Sequence, residues 1–252
     1  MKSRISDSHW LKNVKIAHRG LHDSVVPENS LLAYQKAAEL GLAIEIDVHF
    51  TKDGYVVIHH DDTLTRMTGY DKKIRDCTLE EIKSLNLLDT EEKVPLLTEL
   101  LPIVKGRSPL LIEIKGTSFK IGDLEQAVYD ILKEYDGDYA VQSFNPLTVK
   151  WFKDNAREIL RGQLSSWFDD SCGQPKYIYR AIAKLWTNIL TKPDFVSYDQ
   201  KFMPIKYCNR AKKKGMPIIA WTVLSAEREK ELRPYYDNII FENYIPESIT
   251  VE

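Results

Sequence analysis

Residues 14–48 read VKIAHRGLHDSVVPENSLLAYQKAAELGLAIEIDV and carry a complete strand-helix-strand unit. Val14 to Ala17 is the first strand. Glu28-Asn29-Ser30 then opens a helix through Ala38, with Asn29 or Ser30 as N-cap and Gly41 just past the end as its stop. Ala43 to Val48 is the second strand, and a helical crossover between two strands makes them parallel. The alternation continues at Leu110 to Ile114, Tyr139 to Ser143, Ile159 to Leu164, Phe195 to Tyr198, Pro217 to Val223 and Asn238 to Phe241, eight strands in all with helix-patterned segments between them. This predicts an α/β fold, a (β/α)8 TIM barrel, with active-site groups at the C-terminal strand ends. Periodicity does not report closure, so a doubly wound open sheet stays compatible with the same pattern.

The run Val56 to His60 follows the second strand after only Thr51-Lys52-Asp53-Gly54. That is too short for a parallel crossover, so it is expected to turn back as a hairpin arm rather than form a ninth barrel strand. After it, residues 62–107 break the regular alternation; helices over Thr78 to Leu87 and Thr98 to Val104 predict a small insertion there. Residues 1–252 are otherwise expected to form a single barrel domain, a length that suits such folds.

With 43% hydrophobic and 29% charged residues and a net charge of -2, the chain lacks the basic excess of a bulk nucleic-acid binder. Lys212-Lys213-Lys214 reads as solvated helix surface. Cys77, Cys172 and Cys208 are odd in number and lack metal-ligand spacing, which points to reduced thiols and a reducing compartment. Met1 to Asn13 has no apolar signal-like core and no long apolar span occurs, so a cytoplasmic location without a membrane span is expected. The segment Tyr177 to Lys192 is the one candidate for peripheral membrane contact, and an ordinary core-facing amphipathic helix explains it equally well. Oligomeric state has no readable signature.

The chemistry lies where apolar runs end in ionisable residues: Ile16-Ala17-His18-Arg19-Gly20, Ile44-Glu45-Ile46-Asp47, Val56-Val57-Ile58-His59-His60-Asp61 and Leu110-Leu111-Ile112-Glu113-Ile114-Lys115. Such groups are expensive to desolvate unless a metal, a partner or a substrate compensates them. On a strand, Glu45 and Asp47 point to one side and Ile44, Ile46 and Val48 to the other. Two carboxylates so close call either for a hard divalent cation, with Glu113 as a further oxygen ligand, or for pairing with lysine or arginine. His18 and His60 suit acid-base work near neutrality. Arg19 suits a phosphate through its bidentate fork, and Lys115 as a point charge. His9, His22 and His49 read as structural. His59 should face the opposite side of the arm from His60.

The chain resembles the glycerophosphodiester phosphodiesterase family. The resemblance rests on Ala17-His18-Arg19-Gly20, Pro27-Glu28-Asn29-Ser30, Glu45-Ile46-Asp47-Val48, Thr51-Lys52-Asp53-Gly54 and His60-Asp61-Asp62-Thr63-Leu64 with Arg66 and Thr68, in order and spacing. Val94-Pro95-Leu96-Leu97, Ile112-Glu113-Ile114-Lys115, Gln142-Ser143-Phe144 and Trp221-Thr222-Val223 extend it across most of the chain. The resemblance implies a TIM-barrel hydrolase that cleaves glycerophosphodiesters to sn-glycerol 3-phosphate and an alcohol. It implies His18 and His60 as the acid-base pair, and Glu45, Asp47 and Glu113 as ligands of one divalent cation, Mg²⁺ or Ca²⁺. Arg19 and Lys115 match the phosphate-contacting cations, Trp221 an aromatic lining the pocket, and Glu28 and Asn29 supporting positions. The chain departs from many relatives at Leu224 and at Phe241-Glu242-Asn243, which bears on the C-terminal rim and the leaving group. Alternatives are a lysophospholipase D or phospholipase C-like activity on a lipid phosphodiester, and a non-catalytic phosphodiester-binding protein. An acyl channel would need Tyr70, Trp167, Phe168, Trp186 and Phe202, which are expected instead to fill core.

Overall fold

A computed structural model describes residues 3–116, 121–167 and 176–247. Its strands are β1 (Ile16–Ala17), β2 (Ala43–Phe50), β3 (Val56–Ile58), β4 (Leu110–Ile114), β5 (Tyr139–Ser143), β6 (Leu160–Ser165), β7 (Phe195–Asp199), β8 (Ile218–Val223) and β9 (Asn238–Phe241). They hydrogen-bond in the order β1-β9-β8-β7-β6-β5-β4-β2-β3, and β1 also pairs with β2. The eight parallel strands therefore close into a (β/α)8 barrel, with β3 outside the ring as an antiparallel arm on β2. Each expected strand is present to within two residues, and the arm is where its short connection required it.

The chain divides into two compact units, residues 17–139 and residues 1–16 with 140–252. In the first, Ser30 rather than Asn29 caps the helix Leu31–Glu39, its hydroxyl accepting from the Ala33 N–H at 3.1 Å. Gly41 follows with φ +65°, the left-handed conformation that ends a helix cheaply only with glycine. Gly20 has a second reason to be glycine besides its φ of +81°: a Cβ there would stand 2.9 Å from Ala33 and Tyr34. That close approach seats the helix against the turn after β1.

The segment after the arm forms its own small core from Val57, Leu64, Met67, Ile74, Cys77, Ile82, Leu87 and Val94. Thr78 and Glu81 make a reciprocal capping box for the helix Leu79–Lys83. The helix stops there and not at Leu87, because Leu87 N–H bonds the Glu92 carbonyl at 2.7 Å and Asn86 pairs with Lys93, diverting the backbone into a turn. The second predicted helix spans Leu97–Val104.

In the other unit β5 to β9 run parallel in sequence order. Gly162 on β6 lies under the Phe195 ring of β7, where a Cβ would come within 2.2 Å of the ring. Asn238 at the start of β9 donates through Nδ2 to the carbonyls of Leu11 and Val14, tying down the N-terminal segment. Tyr177 to Lys192 is not one helix: Lys176–Ala183 and Asn188–Thr191 are separated at Leu185, whose φ is +57°. The break leaves Trp186 exposed, and Trp167 and Phe202 are exposed as well, so these three do not fill core. Tyr70 packs against the small core after the arm, while Phe168 lies outside the described residues. Cys77 and Cys208 are buried free thiols, and Cys172 also lies outside the described residues. Lys212 is not merely solvated, since its Nζ donates to Asp237 Oδ1 at 2.6 Å. No helix among the described residues is long and apolar enough to cross a membrane.

Candidate active site

Register brings the carboxylates together. Asp47 on β2 stands beside Glu113 on β4, and Glu45 precedes Asp47 by two, so all three share one face. One oxygen from each lies within 4.8 Å of the others, and the residues are only 2%, 1% and 7% exposed for Glu45, Asp47 and Glu113.

Two cations face this cluster. Lys115 Nζ bridges Asp47 Oδ1 at 2.9 Å and Glu113 Oε1 at 2.8 Å. Arg19 holds Glu45 through its backbone N–H at 3.1 Å, and its Nε stands 3.6 Å from Asp47 Oδ2. Arg19 sits at φ +56°, a strained conformation for a long side chain; the Asn29 N–H donating to its carbonyl at 2.9 Å helps to hold it there. Asn29 Nδ2 donates to Asp47 Oδ2 at 3.0 Å, and Tyr34 Oη donates to Asn29 Oδ1 at 2.7 Å.

Burial, then the charges of Asp47 and Glu113, pushes Glu45 well above the usual carboxylate range. Glu113 is raised, chiefly by burial. Asp47 goes the other way: burial opposes its charge, but Lys115, His60, Arg19 and the Asn29 hydrogen bond outweigh it. Lys115 is likewise raised against its burial by Asp47 and Glu113. Three carboxylates against two cations in a dry site leave the cluster short of positive charge. An all-oxygen donor set of this kind fits a hard divalent cation.

A second network orients an imidazole. His60 Nδ1 lies 2.7 Å from Asp61 Oδ1, and since a carboxylate only accepts, the proton sits on Nδ1 and Nε2 presents a lone pair. Asp61 is fixed by Arg66 Nε at 2.7 Å, Arg66 grips both oxygens of Glu28, and Glu28 accepts from Arg19 Nη1 at 2.8 Å. The arginines outweigh burial and hold Glu28 down to about 2, and Arg66 with His60 does the same for Asp61, also about 2. Burial lowers the pKa of His60, with Asp47 pulling the other way.

The remaining candidates divide. His59 is buried with Nε2 on the Thr63 carbonyl at 3.2 Å. His49 is buried on the His60 carbonyl, its pKa lowered to about 4 mainly by burial. His9 caps the helix Trp10–Asn13. His18 lies half-buried in the turn after β1, directly before Arg19. Trp221 belongs to the other unit, on β8, edge-on to Phe144 with centroids 5.5 Å apart; its Nε1 is buried without a hydrogen-bond partner among the described residues. Two supports were not read from the sequence: Tyr34 as anchor of Asn29, which has no signal of its own, and the role of Arg66, a motif residue, as the link between Glu28 and Asp61.

A closed (β/α)8 barrel carrying buried carboxylates, a carboxylate-oriented imidazole and cations suited to a phosphoryl group defines a phosphoric diester hydrolase. The profile of the Glycerophosphoryl diester phosphodiesterase family matches residues 18–245, and the chain belongs to that family. It is similar to a glycerophosphodiester phosphodiesterase of Caldanaerobacter subterraneus subsp. tengcongensis, 31% identical over 95% of this chain and 97% of the relative. Among solved structures it is similar to a Thermotoga maritima glycerophosphodiester phosphodiesterase, with 27% identity, a TM-score of 0.71 and coverage of 91% of this chain and 94% of that one. An Oleispira antarctica phosphodiesterase in complex with its product sn-glycerol-3-phosphate shares the fold at 24% identity and a TM-score of 0.78, covering 90% and 92% of the two chains.

Proposed function

We propose that the enzyme hydrolyses glycerophosphodiesters to sn-glycerol 3-phosphate and an alcohol, with His18 and His60 exchanging the protons and Glu45, Asp47 and Glu113 holding one Mg²⁺ or Ca²⁺. The observation that carries this reading is the buried carboxylate cluster, whose unbalanced negative charge calls for a divalent cation. Such a cation supplies polarisation of a phosphoryl oxygen and neutralisation of charge as the phosphorus is attacked.

The rest of the chemistry falls to the chain. His60, neutral at pH 7 because burial lowers its pKa, takes the proton of the attacking hydroxyl at Nε2, and Asp61 stabilises the imidazolium that forms. His18 delivers a proton to the departing alcohol oxygen. Arg19 and Lys115 orient the phosphate and offset its growing charge. The product complex of the Oleispira antarctica phosphodiesterase supports this product assignment.

A second reading, lysophospholipid cleavage, is supported by Tyr177, Trp186, Ile189 and Leu190, which are 50–84% exposed on the segment after β6. The test of both is release of sn-glycerol 3-phosphate from glycerophosphocholine and glycerophosphoethanolamine, and of choline from lysophosphatidylcholine, by chelator-treated protein with and without added Mg²⁺ or Ca²⁺. Metal-dependent release from the glycerophosphodiesters is expected. Turnover unaffected by chelation would sink the metal assignment, and choline release alone would favour the second reading.

A further inference from the structure

The unit containing β5 to β9 holds a cavity of about 490 Å³ lined by Arg4, Lys153, Arg157, Glu158, Arg161 and Lys192. Five of these six side chains are cationic. Arg161 is the second residue of β6, and Lys192 precedes β7, so the cavity is built at the N-terminal ends of strands. The carboxylate cluster uses none of these residues.

Arg161 is the unusual member. Its side chain is 9% exposed, yet only Nη2 has a hydrogen-bond partner, the Lys192 carbonyl at 3.0 Å. Nε and Nη1 are buried without one, and Asp194 Oδ2 stands 3.6 Å from Nη1, beyond hydrogen-bond reach. Asp194 is already engaged by the Arg161 backbone N–H and by Arg4 Nη1, both at 3.1 Å. A buried guanidinium with two idle donors is costly in a protein that gains nothing from it. Around it, Arg4 and Lys153 are anchored on the carbonyls of Glu158 and Leu190, while Arg157 and Lys192 are exposed and have no ion pair among the described residues. Burial holds the Arg161 pKa below its ordinary value; Asp194 raises it, and the nearby Arg4 and Arg157 charges add to the lowering.

We propose that this cavity is a second anion site that binds a phosphate dianion, free or as a small phosphomonoester, on the fork of Arg161 with Arg157 and Lys192 closing over it. A phosphate offers several acceptor oxygens to a guanidinium whose Nε and Nη1 lack hydrogen-bond partners among the described residues. The volume exceeds what the phosphoryl group itself needs, leaving room for a small organic substituent. The cluster of cations raises the local concentration of such anions and makes the binding salt-sensitive.

The test titrates chelator-treated full-length protein calorimetrically with inorganic phosphate and, separately, with sn-glycerol 3-phosphate, at constant ionic strength set by chloride. The wild type is expected to show a site that the double variant Arg157→Glu, Lys192→Glu loses, with affinity reduced about tenfold or more, while hydrolysis under phosphate-free conditions stays within about twofold. Both substitutions are at exposed positions, so folding is retained. Arg161→Lys keeps the charge, removes the fork and should weaken the same site. Binding only of sn-glycerol 3-phosphate would assign the site to phosphomonoesters, and binding of both would assign it to the phosphate group alone. Identical isotherms for wild type and double variant, or displacement by chloride as readily as by phosphate, would overturn the proposal.

Discussion

Two charge clusters in this protein, one buried and one gathered around a single buried arginine, are opposite in their balance. Around Glu45, Asp47 and Glu113 the anions outnumber the cations, and every cation is paired: Lys115 bridges two carboxylates, and Arg19 serves three. Around Arg161 the cations outnumber the anions, and its buried Nε and Nη1 lack hydrogen-bond partners, as Arg19 Nε does in the first cluster. Both lie at strand ends, where a barrel offers fixed backbone and open space. The difference teaches that charge at the two clusters is unbalanced in opposite directions, so the same change of charge should act with opposite sign at each. The carboxylate cluster suits a cation, the arginine cluster an anion, and each would be a liability if left empty of both ligand and compensation.

The sharpest break in the comparison is catalytic. His60→Ala should lower kcat/KM by about a thousandfold, a loss of roughly 4 kcal/mol of transition-state stabilisation, with circular dichroism unchanged. Retention of most activity would move the role to another group and dissolve the Asp61-Arg66-Glu28 network as a functional unit.

Removing a positive charge should have opposite signs in the two clusters. Lys115→Met leaves Asp47 and Glu113 without their shared partner and should destabilise the metal-free protein by about 3 kcal/mol in urea unfolding. At the other cluster, Arg157→Gln relieves like-charge crowding and should stabilise by about 0.5 kcal/mol at low salt, an effect that fades as salt screens it. Equal signs for the two changes would refute the reading of opposite imbalance.

Between these lies an acid effect. Glu28 is held at about 2 in the folded protein, well below its ordinary 4.5. The unfolded chain therefore binds more protons between these values, so its contribution is fully present above about pH 4.5 and is lost as pH falls toward 2. The loss should be on the order of 2 kcal/mol, and Glu28→Gln should flatten that part of the pH-stability curve. A wild-type curve with the same slope as the variant's would show that the Arg66 and Arg19 pairing adds nothing to stability.

Much of the fold was legible because strands and helices leave different periods. The boundaries of β4, β5 and β9 coincide with the sequence reading, because each strand carries a short apolar stretch between helix-patterned segments. The parity of Glu45 and Asp47 places them on one face, since alternation along a strand is a local property. Less local features escaped. Helix 79–83 stopped early because a turn at 88–91 claimed its backbone, and the segment 177–192 broke at Leu185. Asn29 and Ser30 were equivalent as caps in sequence, and only the position of Asp47 shows why Ser30 caps the helix and Asn29 reaches the site.

By itself, then, the sequence determined the succession of strands and helices, the hairpin arm and the one-sided placement of the β2 carboxylates, because each depends on residues within a few positions of one another. It also carried the family, through motifs distributed along most of the chain. Tertiary structure alone decided ring closure, the approach of Glu113 and Lys115 to Asp47, the relay from Arg19 through Glu28 and Arg66 to His60, and the gathering of Arg4, Arg157, Arg161 and Lys192 around one cavity. These depend on register and packing between segments tens of residues apart, and electrostatic energy is set by distance and burial, which no local pattern encodes.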